Sequence, residues 1–230
     1  MKPVAHKFYD KLARRGRYLS RVRNLVPKYD EMTELIVNLI RRSSPSCLLD
    51  IGPGIGHLDH LILTELPKTR ITAVEASKEM FQVCQKNLDL HYGRIQLLHQ
   101  DIVEFEPTEK YDAIFSNLVL HNIPYDEKKT LLKRLRHWLT PGGIFIWGDM
   151  IRFLDSEIQE YFVQIRLGIA LAHEVTKELA HQNFEKELHH DYPLTIKETF
   201  QLGQDAGFSA VENIWVHDTF SIFLMRLTAK

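Results

Sequence analysis

The chain has 230 residues, 44% of them hydrophobic and 26% charged, with a formal net charge of −1. That is an ordinary globular composition, long enough for a large core, and its near-neutrality argues against a protein that coats nucleic acid. No apolar run approaches the ~20 residues of a membrane span, and the basic start is not followed by a signal-peptide core, so a cytoplasmic protein without membrane contact is expected.

Taken in order, the chain opens with nine Lys or Arg between Met1 and Lys28 against Asp10 alone. Phe8, Leu12 and Leu19 fall near helical spacing there, so the basic residues read as the solvated face of one or two helices, or as an arm for an acidic partner. Tyr29 to Ile40 predicts a further helix with Met32, Leu35, Ile36 and Ile40 on one face. Cys47 to Ile51 is a buried strand entering a glycine-rich turn, Gly52-Pro53-Gly54-Ile55-Gly56, and a helix from His57. Strand and helix patterns then alternate: strands at Ile71–Glu75, Ile95–Leu98, Tyr111–Asn117 and Ile144–Trp147, with helices from Ser77 and Asp126. Leu139 to Gly143 reads as a turn before the fifth strand. Ser156 to Leu188 reads as one long helical stretch broken near Gly168. Thr195 to Ala206 is a helix closed by Gly207, and Ala210–Val216 with Phe220–Leu227 form a hairpin. Cys47 and Cys84 sit in apolar patterns that predict packed thiols rather than a disulfide or a metal pair.

The glycine spacing discriminates among nucleotide-binding turns. A dinucleotide-binding turn would need glycine at position 57, which is His57, and a phosphate-binding loop would need Gly-Lys-Ser/Thr, which is absent. What remains, an acid followed by glycines at alternate positions, resembles the first motif of the class I S-adenosylmethionine-dependent methyltransferases, with the likeness running from about Val4 to Leu227. The resemblance implies a single α/β domain over 1–230, a doubly wound seven-stranded, mostly parallel sheet with its last strand antiparallel. N-terminal helices (1–40) would form a lid, and a helical insertion before the final hairpin (150–192) an acceptor pocket. It implies S-adenosylmethionine as cofactor and S-adenosylhomocysteine as product. Asp50, Gly52, Gly54 and Gly56 would cradle its methionine end and Glu75 would accept the ribose hydroxyls. Asp101 would accept from the adenine amino group, with Ile102, Ala76 and Met80 as apolar walls, and Asn117 would face the methionine end. Tyr18 and Tyr29 are the candidates for the covering aromatic.

For chemistry, His121 and Asp149 lie just past strand ends, where a general base would have to be. The tetrapeptide typical of enzymes that alkylate exocyclic amines is absent; Asn117-Leu118-Val119-Leu120 stands in its place. His173, His181, Glu185 and His189 fall along one helical stripe, more consistent with a polar pocket lining than with a metal site. The leading expectation is methyl transfer to a small-molecule acceptor, with no metal and with nucleic acid not favoured as partner. The insertion and hairpin also resemble the carboxy-S-adenosylmethionine synthases of tRNA wobble modification, which need an arginine facing the added carboxylate; Arg152 and Arg166 are the available ones. A cofactor-binding module without turnover is the third reading.

Overall fold

The computed structural model describes residues 18–172 and 176–229. Expectations placed on the segment before Tyr18 and on His173 lie outside them. Within the described part of the basic arm, α1 (Tyr18–Leu25) buries Val22 and Leu25, and α2 (Tyr29–Ser43) buries Met32, Ile36 and Ile40 one helical turn apart. Arg23 pairs with Asp30 at 2.8 Å and Lys28 with Glu31 at 3.6 Å, so those basic residues are answered within the same two helices.

Strand β1 (Cys47–Ile51) is apolar on both faces because it lies inside a sheet covered on both sides. Leu49 and Ile51 join Val74, Ile114, Phe145 and Trp147 in one core layer, beneath α5 (Tyr125–Trp138) and α8 (Ile196–Asp205). Leu48, Ala73, Phe115 and Ile146 face the other layer, beneath α2 and α3 (His57–Glu65). The remaining strands are β2 (Arg70–Glu75), β3 (Ile95–His99), β4 (Tyr111–Asn117), β5 (Leu139–Met150), β6 (Ala210–His217) and β7 (Phe220–Arg226), and α4 (Lys78–Asn87) follows β2. The sheet has the order β3-β2-β1-β4-β5-β7-β6, parallel throughout except for β7, which runs antiparallel to both its neighbours. The order reverses between β1 and β4, and a crevice opens at the carboxyl ends of those strands.

Two local expectations are corrected. The long helical stretch is two helices, α6 (Ser156–Ala172) and α7 (Lys177–His190), and Gly168 lies inside α6 rather than at the break. A glycine costs a helix only about 1 kcal/mol, too little to end one anchored by buried Arg166 and Ala170. The segment Leu139 to Gly143 lies within β5 instead of preceding it. Tyr111 pairs with Leu139 and Ala113 with Ile144, so Thr140 to Gly143 bulge out of the ladder, held by the Thr140 hydroxyl donating to Asp112 at 3.2 Å. Both cysteines are free.

Candidate functional site

The turn after β1 brings backbone close to its neighbours. Gly52 has φ +76, and a Cβ there would stand 2.5 Å from Val119. Gly56, the residue before α3, has φ +78, and its Cβ would meet Leu88 at 2.8 Å and Cys84 at 2.9 Å. Gly56→Ala is therefore expected to cost about 1–3 kcal/mol through strain and overpacking, read as a lowered urea midpoint. Glu75 pins the turn from the tip of β2: one carboxylate oxygen accepts from Gly54 N at 3.0 Å and the other from Ser77 N at 2.7 Å. The same side chain lines the crevice.

Three adjoining cavities meet at Tyr18 and Leu118. The first, about 610 Å³, brings together Gly52, Gly54, Glu75, Ala76, Met80, Asp101, Ile102 and Asn117. The second, about 430 Å³, lies between Tyr29, Asp50, Gly54 and Asn117. Gly56 touches neither; it turns the chain into α3 and packs on α4. Tyr18 reaches all three cavities and Tyr29 only the second, where burial pushes its phenol up to about 12. The Asn117 side-chain oxygen is buried with no hydrogen-bond partner, and Asp101 spends one oxygen on Val103 N at 3.1 Å. The first two cavities thus hold a carboxylate at the β2 tip, an acid past β3 and an orphaned amide carbonyl at the β4 tip. That donor set fits a nucleoside joined to an amino-acid end, with Glu75 for vicinal hydroxyls and Asn117 for an ammonium or amide donor.

The third cavity, about 510 Å³, is apolar on one wall (Val22, Leu25, Val26, Met150, Phe220) and charged on the other, where α7 contributes Asn183, Lys186 and Glu187. His121 faces this space from the loop after β4. Its Nδ1 lies 2.5 Å from Asp149 Oδ1, and its backbone N–H donates to Asp149 Oδ2 at 2.9 Å. Burial alone would raise the Asp149 carboxyl, but the His121 ring and the hydrogen bonds from His121 and Trp147 outweigh it and hold Asp149 below the usual carboxylate range. An ionised Asp149 keeps the proton on Nδ1 and leaves Nε2 as the acceptor nitrogen. Leu118, at the junction, has φ +60, a strained conformation for a γ-branched residue and one found at functional sites.

Residues with no sequence signal complete this cluster. Asn122 Nδ2 donates to His121 Nε2 at 3.1 Å, and its side-chain oxygen accepts from Lys186 Nζ at 2.9 Å. Lys186 also reaches Asp191 at 2.5 Å. Lys128 is fully buried, donates to the Tyr192 carbonyl at 2.6 Å, and is pushed down to about 8 by burial, against the pull of Asp149, Asp191 and Glu198. Conversely, the predicted stripe on α7 points away: His181, Glu185 and His189 are exposed, with Glu185 and His189 3.4 Å apart, and they do not line the pocket. A stripe read from one helix cannot say which face turns inward; here the inward face carries Asn183, Lys186 and Glu187. Among the described residues no His, Cys, Asp and Glu side chains gather into a metal-ligand group. Arg166 is buried, bidentate to Glu187 at 2.8 and 3.0 Å, and Arg152 pairs with Glu198 at 2.5 Å.

A family model described as a methyltransferase domain matches residues 49–145. Carboxy-S-adenosyl-L-methionine synthase of Shewanella sp. (strain ANA-3) is 25% identical over 221 residues, 94% of this chain and 81% of that protein. Malonyl-(acyl-carrier protein) O-methyltransferase of Halalkalibacterium halodurans is 34% identical over 110 residues, 46% of this chain and 40% of that one. Human N-acetylserotonin methyltransferase, solved in complex with S-adenosylmethionine, superposes with a TM-score of 0.64 at 16% identity, covering 96% of this chain and 57% of its own. The chain thus spans less than two thirds of that structure's length. A methyltransferase domain model thus covers the centre of the chain, and the strand order with its reversed last strand is the fold shared with that solved methyltransferase.

Proposed function

We propose that this chain binds S-adenosylmethionine in the first two cavities and catalyses methyl transfer to a hydroxyl of a small molecule held in the third. The observation that carries the reading is the His121–Asp149 pair, buried beside the third cavity next to Asn122, which lines the first, with Nε2 as its basic nitrogen. The cofactor supplies a methyl group already activated on a sulfonium, so the protein's part is alignment and proton removal. Holding the reactants in line contributes about 7–11 kcal/mol in favourable cases. His121 Nε2 takes the acceptor proton, exchanging its contact with Asn122 for the acceptor hydroxyl, while Asp149 stabilises the imidazolium that results. The two-sided third cavity suits an acceptor with a flat apolar body and a polar end, lying between Phe220 and Met150 on one side and α7 on the other. The test is release of S-adenosylhomocysteine across a panel of phenols and aliphatic hydroxy compounds. Release from none of them, with the cofactor bound, would favour a binding module.

Lys186 is a positioning residue in this reading, because it orients Asn122 and neutralises Asp191, whose second oxygen lies 3.9 Å from His121 Nε2. In Lys186→Met the Asn122 amide and Asp191 lose that partner, so kcat is expected to fall while Kd for S-adenosylhomocysteine stays within a few-fold.

A second reading draws on the relative that aligns along 94% of the chain, a carboxy-S-adenosyl-L-methionine synthase. Arg166 borders the third cavity but is held by Glu187, and Arg152 is held by Glu198. Mass spectrometry of the nucleoside product separates the readings: methyl loss supports the first and a gain of carboxylate on the transferred carbon the second.

A further inference from the structure

Asp50 and Asp59 are both buried, at 2% and 0% exposure, under the glycine turn, one near the end of β1 and the other in the first turn of α3, each carboxyl within hydrogen-bonding reach of the other. Neither oxygen of Asp59 has a hydrogen-bond partner of ordinary geometry; what it faces is its own backbone N–H and the Asp50 carboxyl. Two carboxyls can bond each other only through a proton, and two buried carboxylates in contact cannot both stay ionised without a cation.

Among the described residues no cation faces the pair. The groups facing the pair are Glu75 on β2 and the Cys84 thiol on α4, and both add negative character. Across the second cavity stand the Tyr29 phenol, which burial keeps neutral, and His57, which burial, with Arg23 nearby, pushes toward its neutral form. Arg23 itself is engaged by Asp30 at 2.8 Å. Burial, followed by the neighbouring acids, raises Asp50 well above the usual carboxylate range, and burial raises Asp59 to about 6. Asp50 also lines the second cavity, where the amino-acid end of the cofactor is expected.

We propose that Asp50 and Asp59 hold one proton between them beneath the second cavity and release it to solvent when an α-ammonium group binds over Asp50, so that the amino-acid end of the cofactor is recognised by exchanging a proton for a fixed positive charge. This makes Asp59, which does not touch the cavity, a positioning residue that sets the charge of the one that does. The proposal rests on the cofactor reading above. Its balance is simple: one O–H bond breaks, the proton goes to buffer, and the ammonium brings the compensating charge.

Calorimetric titration in two buffers of different ionisation enthalpy counts the protons. With S-adenosylhomocysteine the wild type is expected to release between about half a proton and one near neutral pH, with affinity weakening by up to about tenfold per unit as pH falls through the range between the free and bound values of the pair. With 5′-methylthioadenosine, which has the same adenosine and sulfur but no amino-acid end, no release and a flat pH dependence are expected. Asp59→Asn, whose amide can donate permanently to an ionised Asp50, should bind S-adenosylhomocysteine with no proton release. Equal release with both nucleosides, no release with S-adenosylhomocysteine, or undiminished release in Asp59→Asn overturns the proposal. If neither nucleoside binds, the cofactor reading falls, and the proposal falls with it.

Discussion

Replacing His121 by Asn is expected to reduce kcat by about 10²–10⁴-fold while leaving the affinity for S-adenosylhomocysteine nearly unchanged. Asparagine is the informative choice because its amide nitrogen stands about where Nδ1 does. The donor that Asp149 accepts at 2.5 Å is kept, and only the Nε2 lone pair is removed. Asp149 also retains the backbone N–H of residue 121 and the Trp147 indole at 2.9 Å, so a buried charge is not stranded. Steady-state turnover together with calorimetric binding separates the two effects. A variant that binds and turns over like the wild type would show that proton removal is not part of the reaction, and would favour an acceptor already ionised in solution.

The second large effect belongs to Glu75. Glu75→Gln keeps the size of the side chain but removes its charge and places an N–H₂ where an acceptor faces either Gly54 N–H or Ser77 N–H. Charge-assisted hydrogen bonds contribute about 1.5–3 kcal/mol each, so cofactor affinity is expected to fall by roughly 10–100-fold. The turn is expected to lose about 1–3 kcal/mol of stability for the same reason, one buried donor being left unpaired. Measuring Kd well below the variant's Tm keeps the two losses apart. A folded variant with wild-type affinity would mean that Glu75 serves the turn alone.

These two residues differ in how visible they were. Glu75, Asp101 and Asn117 each sit at or just past the carboxyl end of an apolar strand pattern, and in a parallel sheet those ends converge on one crevice, so locating the strands locates the residues. His121 and Asp149 were visible only singly. Their pairing follows from the β4–β5 register: Asn117 stands beside Gly148, Leu118 N–H donates to the Gly148 carbonyl at 2.9 Å, and the turn after it carries the ring onto Asp149. The α7 stripe of His181, Glu185 and His189 has a helical period but faces solvent, because packing against α6 and the β4 loop turns Lys186 and Glu187 inward.

Local pattern specifies the fold class: alternating strands and helices, a glycine turn with glycines at alternate positions, and acids at strand ends. All of these are local patterns whose period or spacing carries the physics. Which charges share a space is set by packing. Lys186 behind Asn122 and Asp149 behind His121 are contacts between elements far apart in the chain, and Asp59 meets Asp50 only because the glycine turn folds α3 back against β1. In a buried, low-dielectric setting the protonation of each group depends on the neighbour that packing supplies, which no local pattern encodes.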